Sequence, residues 1–251
     1  MIAIIFAAGI GSRLKPFTDS HPKALAPVAG VPALVRVADK LRAAGARKII
    51  VNVHHFADQV RTCLSTLPYA ADIEVSNETD LLLDTGGALV AMWRRGEVLR
   101  SAPEDEDVVV HNADIITDFD INAFCRARHQ SAADVAILVD AARKSTRRFL
   151  FDSEKYLRGW ENIPKGIVRP AGLDTNGLTE ASFGGVHVIT PAFIASMAES
   201  APEPLAPFSI VDTYLNECSH TKILGYTPSE SFRWHDIGTP EKLQAADLAF
   251  R

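Results

Sequence analysis

Ile2-Ala3-Ile4-Ile5-Phe6-Ala7-Ala8-Gly9-Ile10-Gly11-Ser12-Arg13-Leu14-Lys15-Pro16 is an apolar run of strand length that breaks directly into a glycine loop. Glycines let backbone N–H groups approach an anion closely. Arg13 adds a cation there, and Lys23 follows in His21-Pro22-Lys23-Ala24-Leu25-Ala26-Pro27-Val28-Ala29-Gly30-Val31-Pro32. The combination reads as a loop for a polyphosphate, where charge compensation gains most. Two commoner loops do not fit. A dinucleotide fingerprint needs a third glycine where Leu14 stands, and no Gly-Lys-Ser/Thr ending follows for a P-loop.

Working outward, Leu34, Val37, Ala38, Leu41 and Ala44 fall at helical spacing over 33–44, with Gly45 as a stop. Residues 48–53 read as a buried strand, 56–66 as a second helix and 72–75 as another strand. This alternation predicts an α/β fold, a Rossmann-like, mostly parallel sheet with helices on both faces. After Gly86-Gly87 a helix is expected over 88–95. The apolar run 107–111 then delivers Asn112 and Asp114 to the carboxyl edge of the sheet, where open α/β sheets bind ligands. Residues 121–130 read as helical and 134–139 as extended. From 147 to 189 the pattern turns to shorter strands punctuated by Gly159, Gly166, Gly172 and Gly177. Residues 209–218 and 240–249 read as helices opened by Ser209 and by Thr239-Pro240-Glu241.

At 251 residues the chain is expected to form one domain. No apolar run reaches the roughly 18 residues of a membrane span. The first strand lacks the basic lead of a signal peptide, so it reads as retained structure in a soluble, cytoplasmic protein. Cys63, Cys125 and Cys218 offer neither a disulfide framework nor zinc spacing, and His54-His55 lacks a metal-binding continuation. The net charge of −5 argues against a nucleic-acid surface. No internal repeat is visible.

The opening segment resembles the signature of the sugar-1-phosphate nucleotidylyltransferases, roughly G-x-G-[ST]-R-L-x-P-x-T followed by P-K-x-L-x-P-V-x-G-x-P, and every fixed position is filled. The resemblance implies nucleoside monophosphate transfer from a nucleoside triphosphate to a sugar 1-phosphate, with release of pyrophosphate. It implies Arg13 on the triphosphate, Lys23 on the α-phosphate, and Mg²⁺ held by Asp114 and by Asp236 of the late Asp236-Ile237-Gly238-Thr239-Pro240-Glu241 segment. Mg²⁺ suits such a site, since it takes one or two carboxylates together with phosphates and water. Arg13, Lys23 and Asp114 are the catalytic candidates. No general base is needed, because the acceptor phosphate is already an anion.

For the nucleotide the resemblance points to Ala8, Gly9, Gly11, Ser12, Glu78, Thr85, Gly86 and Gly87. Glu78 as an ionised acceptor would suit uracil or guanine over cytosine, the alternative being an exposed loop glutamate. On the acceptor side it points to Asn112 and to Gly185 in Phe183-Gly184-Gly185-Val186-His187. The family's Glu-Lys-Pro lysine has no clean counterpart. Lys165 in Glu161-Asn162-Ile163-Pro164-Lys165 is the nearest, with Arg148 or Arg147 as substitutes. Among short relatives the expected reaction is uridylyl transfer to an N-acetylmuramate- or hexosamine-type sugar phosphate, by a monomer or homodimer. A guanylyltransferase for mannose or heptose 1-phosphate is the alternative. A cytidylyltransferase for a non-sugar phosphate and a non-catalytic nucleotide-sugar sensor are readings from other classes. With no hexapeptide repeat before Arg251, no appended acyltransferase activity is expected.

Overall fold

The computed structural model describes residues 1–251 except Thr79, Ala141, Ala142 and Lys144. Its first half is a parallel sheet in which Ile2–Phe6 lies between Lys48–Val53 and Val108–Asn112, with Ile73–Asn77 outside Lys48–Val53. Both faces of these strands are covered, which is why they read as continuous apolar runs rather than alternating ones. Ala3, Ile5, Ile49, Val51 and Val109 pack on one face with Leu34, Val37 and Leu41 of the helix Ala33–Ala43 and Phe124 of Ile121–Ser131. Ile2, Ile4, Ile50, Val108 and Val110 pack on the other with Ala88, Leu89 and Met92 of Asp84–Arg95 and with Ile194 and Tyr214 of Pro191–Ser200 and Ile210–Glu217.

The second half changes direction. Thr179–Ile189 runs antiparallel to Val108–Asn112 through Val186↔His111 to Ile189↔Val108. On its opposite edge the same strand pairs with Val135–Asp140 through Ser182↔Asp140 to Ile189↔Val135, its start at Thr179 to Ala181 pairs with Arg147–Phe151, and Leu157–Asn162 and Ile167–Arg169 extend the sheet beyond Arg147–Phe151. A register shift between Phe183 and His187 falls at Gly184-Gly185, where Gly185 has φ +75°. The expected run of short strands over 147–189 therefore ends in one eleven-residue strand, bulged at its glycines rather than interrupted by them. A small antiparallel pair, Ile115–Thr117 with Trp234–Asp236, closes the carboxyl edge. The expected caps are present: Ser209 accepts from Val211 N, and Thr239 accepts from Lys242 N.

One element starts earlier than expected. The helix expected over 88–95 begins at Asp84, so Gly86 and Gly87 lie in its first turn. The first N–H groups of a helix lack intrahelical acceptors. Here Gly86 N and Gly87 N both donate to Phe208 O, at 2.9 and 3.2 Å, and Thr85 N donates to the Asp84 carboxylate. A Cβ on Gly86 would stand 2.4 Å from the Phe208 ring. Helix propensity alone makes Gly86→Ala stabilising by about 1 kcal/mol. Overpacking against Phe208 reverses the sign, and we expect a loss of about 1–3 kcal/mol, read as a lowered urea midpoint at unchanged m-value.

Candidate active site

The site grows from the carboxyl edge of the parallel strands. Register places Asn52 and Asn112 on either side of Phe6, and Ala7 N donates to Asn52 Oδ1 at 2.7 Å. The chain leaving Phe6 thus enters the glycine loop with its direction fixed. Gly11 has φ +70°, and a Cβ there would stand 2.8 Å from Lys23 Cβ, so the loop and the Lys23 turn approach as closely as they do only because residue 11 is glycine. Thr18 Oγ1 donates to Gly11 O at 3.0 Å and ties the turn down.

Lys23, on the short turn Lys23–Leu25, reaches across and forms a hydrogen-bonded ion pair with Asp114 Oδ2. Asp114 stands just past Val108–Asn112, and Ile237 N donates to its carbonyl at 3.0 Å. Asp236 is the register partner of Ile115, so the two carboxylates sit on adjoining chain segments. Asp236 accepts from Gly238 N at 2.6 Å and from Lys242 Nζ at 2.5 Å. Burial pushes the Asp236 carboxyl up, but Lys242, the Gly238 N–H and the field of Lys23 together carry it below the ordinary carboxylate range. A Cβ on Gly238 would stand 2.6 Å from Asp236 Oδ1 and 3.4 Å from Arg13 Nη2, which places the Arg13 guanidinium beside this cluster.

Ala8, Gly9, Gly11, Ser12, Arg13, Lys23, Glu78, Thr85, Asn112 and Asp114 line one cleft of about 560 Å³, together with Asn52, Leu82 and Gly238. Gly185 lies behind it, a Cβ there falling 3.2 Å from Asn112 Nδ2. Glu78 is buried, not an exposed loop residue: it is 2% exposed. Its carboxylate accepts from Asn52 Nδ2 at 2.8 Å and Leu83 N at 3.2 Å. Burial raises its pKa, while Asn52, the Leu83 N–H, His54 and Arg95 act in the opposite direction. Thr85 faces the cleft, with Oγ1 accepting from Ile210 N.

Four expected residues lie elsewhere. Gly86 and Gly87 have their N–H groups engaged by Phe208 O and do not line the cleft. Arg148 is paired with Glu161 at 2.9 Å and with Glu180. Lys165 is exposed on the turn Ile163–Lys165. Conversely, Asn52 and Lys242 are not among the sequence candidates. Asn52 sits inside an apolar strand, and Lys242 is one residue beyond the late motif, in the first turn of Pro240–Ala249.

Among the described residues no group of three or more His, Cys, Asp or Glu side chains gathers for a metal. Two adjoining carboxylates near a glycine loop that carries Arg13 suit a hard cation that completes its shell with oxygen ligands from substrate and water, not one that needs a protein cage. The arrangement, in which carboxylates and cations are interleaved, is chemically suited to charge compensation at a phosphorus.

Residues 3–205 match the family described as the MobA-like NTP transferase domain. The chain belongs to that family. This MobA-like chain is 27% identical, over 98% of its own length and 95% of the relative's, to an N-acetylmuramate alpha-1-phosphate uridylyltransferase of Caulobacter vibrioides. It is 24% identical, over 95% of its length and 59% of the relative's, to a mannose-1-phosphate guanylyltransferase catalytic subunit beta of Drosophila pseudoobscura pseudoobscura. A Bacillus anthracis structure provisionally assigned as a glucose-1-phosphate thymidylyltransferase shares the fold, with a TM-score of 0.77 at 20% identity over 99% of this chain and 94% of that one. MobA-like NTP transferases are nucleotidyltransferases, and the chain is an enzyme of that class. Among the described residues no helix is long and apolar enough to cross a membrane.

Proposed function

We propose that this MobA-like enzyme transfers uridylate from UTP to an N-acetylmuramate- or hexosamine-type sugar 1-phosphate, giving the UDP-sugar and pyrophosphate. The observation that carries the reading is the Lys23–Asp114 pair adjoining Asp236 beside the Gly9–Arg13 loop. The match to the uridylyltransferase over nearly the full length of both chains supports the donor and acceptor. In this reading residues 1–115 hold mainly the nucleotide and 116–251 mainly the sugar phosphate, in a cytoplasmic monomer or homodimer. Asp114 and Asp236 would hold Mg²⁺, which when bound neutralises charge on the phosphates and orients them. Arg13 takes the β- and γ-phosphates and offsets the charge that develops on pyrophosphate as it leaves. Lys23 shifts from Asp114 toward the α-phosphate, where negative charge accumulates during in-line attack. The acceptor phosphate attacks as an anion, so no side chain needs to remove a proton.

Guanylyl transfer to mannose 1-phosphate is the second reading, favoured by the guanylyltransferase relative. Pyrophosphate release, measured with each of four nucleoside triphosphates against a panel of sugar 1-phosphates, decides between them. Release with UTP and an N-acetylhexosamine-type acceptor supports the first reading. Release with GTP and mannose 1-phosphate replaces it, and no release with any pair overturns both.

Glu78 gives a sharper check on the base. Its carboxylate accepts from Asn52 and Leu83 N, and each oxygen keeps a further acceptor site for an N–H of uracil or guanine. Glu78→Gln turns an N–H₂ toward one of these partners and should narrow the kcat/KM preference for UTP over CTP by roughly tenfold. If both nucleotides lose equally, Glu78 acts only by holding Asn52 against Ala7.

A further inference from the structure

Arg143 is a cation that the proposed reaction leaves unexplained. Arg128 pairs with Asp107, Arg148 with Glu161 and Glu180, and Arg94 with Glu203. Arg143 is also partly buried, yet among the described residues it has no carboxylate within ion-pair distance. Its guanidinium lies 4.4 Å from the centre of the Trp234 ring, and one Nη2–H donates to Phe183 O at 2.5 Å. Its Nε is buried without a partner. Removing a cation from water without pairing it is unfavourable, and burial lowers the Arg143 pKa against the opposing fields of Asp140 and Asp236.

The surroundings say which side of the reaction this cation serves. Trp234 Nε1 donates to Gly184 O at 2.8 Å, and Trp234 lies two residues before Asp236 on the strand Trp234–Asp236. Phe183, Gly184 and Gly185 belong to the bulged strand whose Gly185 lies against Asn112. Arg143, Trp234, Gly184, Gly185 and Asn112 thus form a continuous strip from the outer acceptor half to the cleft. Stacking on Trp234 fixes the plane of the guanidinium, and Phe183 O fixes one of its edges. Among the described residues the Nη1 edge has no protein acceptor, and it is not among the buried unpartnered atoms. A planar cation held by its face and one edge, with the other edge free, is preorganised for two oxygens of an anion.

We propose that Arg143 binds an oxyanion of the acceptor, in the role for which the sequence offered Lys165 and Arg148. The assignment rests on the sugar-phosphate reading above. Two groups of an acceptor share this chemistry: the phosphate of any sugar 1-phosphate, and the carboxylate of an acidic sugar such as N-acetylmuramate. The test compares N-acetylmuramate 1-phosphate with N-acetylglucosamine 1-phosphate, which lacks the carboxylate. Steady-state KM for each acceptor and for UTP, calorimetric Kd of each acceptor, and melting temperature are measured for the wild type, Arg143→Ala and Arg143→Lys.

Arg143→Ala should raise acceptor KM and Kd roughly tenfold to a hundredfold, leave the UTP KM within about twofold, and be partly rescued by lysine. Equal loss on both acceptors assigns the phosphate, and loss confined to N-acetylmuramate 1-phosphate assigns the carboxylate. Unchanged acceptor Kd in both variants, beside normal wild-type binding, overturns the role of Arg143 alone. So does a UTP KM that rises in parallel in both variants, since that marks general damage to the fold. A wild type that binds neither acceptor overturns this assignment and the reading beneath it.

Discussion

Asp114→Asn is expected to lower kcat by about a thousandfold, since metal-assisted charge compensation supplies several kcal/mol and each 1.4 kcal/mol is about tenfold. The side chain keeps its shape and loses its charge. The backbone bond from Ile237 N to Asp114 O is untouched, so the pairing of Ile115–Thr117 with Trp234–Asp236 should survive. The melting temperature should therefore change little while magnesium affinity in the presence of nucleotide falls. Asp236→Asn should behave alike, with an added release of Lys242 from its partner. Near-normal turnover in either protein would remove the two-carboxylate site.

Lys23→Ala is expected to lower kcat by about a hundredfold to a thousandfold while changing the Kd for UTP only a few-fold, because its charge matters most as the α-phosphate is attacked. Lys23 is nearly buried, with 11% of its side chain exposed, and its Nζ contacts Asp114. Loss of the lysine and loss of the aspartate should therefore be far from additive. Rapid-quench single turnovers on the two single variants and the double variant measure this directly. Independent, multiplying losses would mean that the ion pair plays no part in holding either group ready.

Where candidate residues lie in one short segment of the chain, local pattern is enough to single them out. The Gly9–Arg13 loop, Lys23, Asp114 and the Asp236 segment announce themselves because each needs a particular residue type at fixed spacing. The cleft brings all of the first three sets together. The helices Ala33–Ala43 and Ile121–Ser131 were legible because each buries one stripe. Pro191–Ser200 was not read as a helix, since its apolar residues run nearly all the way round and give little periodic contrast. Its Thr190 cap and Pro191 were the available signal.

Gly86-Gly87 fall before the expected helix start because glycine is a poor helix former, and what overrides that preference is Phe208, more than a hundred residues away. Arg143 is the clearest miss. Nothing in Ala142-Arg143-Lys144 distinguishes it from a solvated charge, and only the fold sets Trp234 beneath it. Arg147 and Arg148 were nearer the expected motif, but Arg148 is neutralised by Glu161 and Glu180, carboxylates on neighbouring strands that no local pattern could assign to it.

The strand Val108–Asn112 takes parallel hydrogen bonds from Ile2–Phe6 on one edge and antiparallel ones from Thr179–Ile189 on the other. It is a seam between two construction plans. On the parallel side the carboxyl-edge connections are tied down by close contacts, Gly11 against Lys23 and Ile115–Thr117 against Trp234–Asp236, which leaves little room for change. On the antiparallel side the hairpins beyond Arg147–Phe151 can lengthen, shorten or exchange side chains without disturbing the register that holds Asn112 in place. Under the proposed division of labour, a lineage built on this seam can acquire new acceptors by remodelling one bank while the opposite bank, with the residues assigned to the triphosphate, stays fixed.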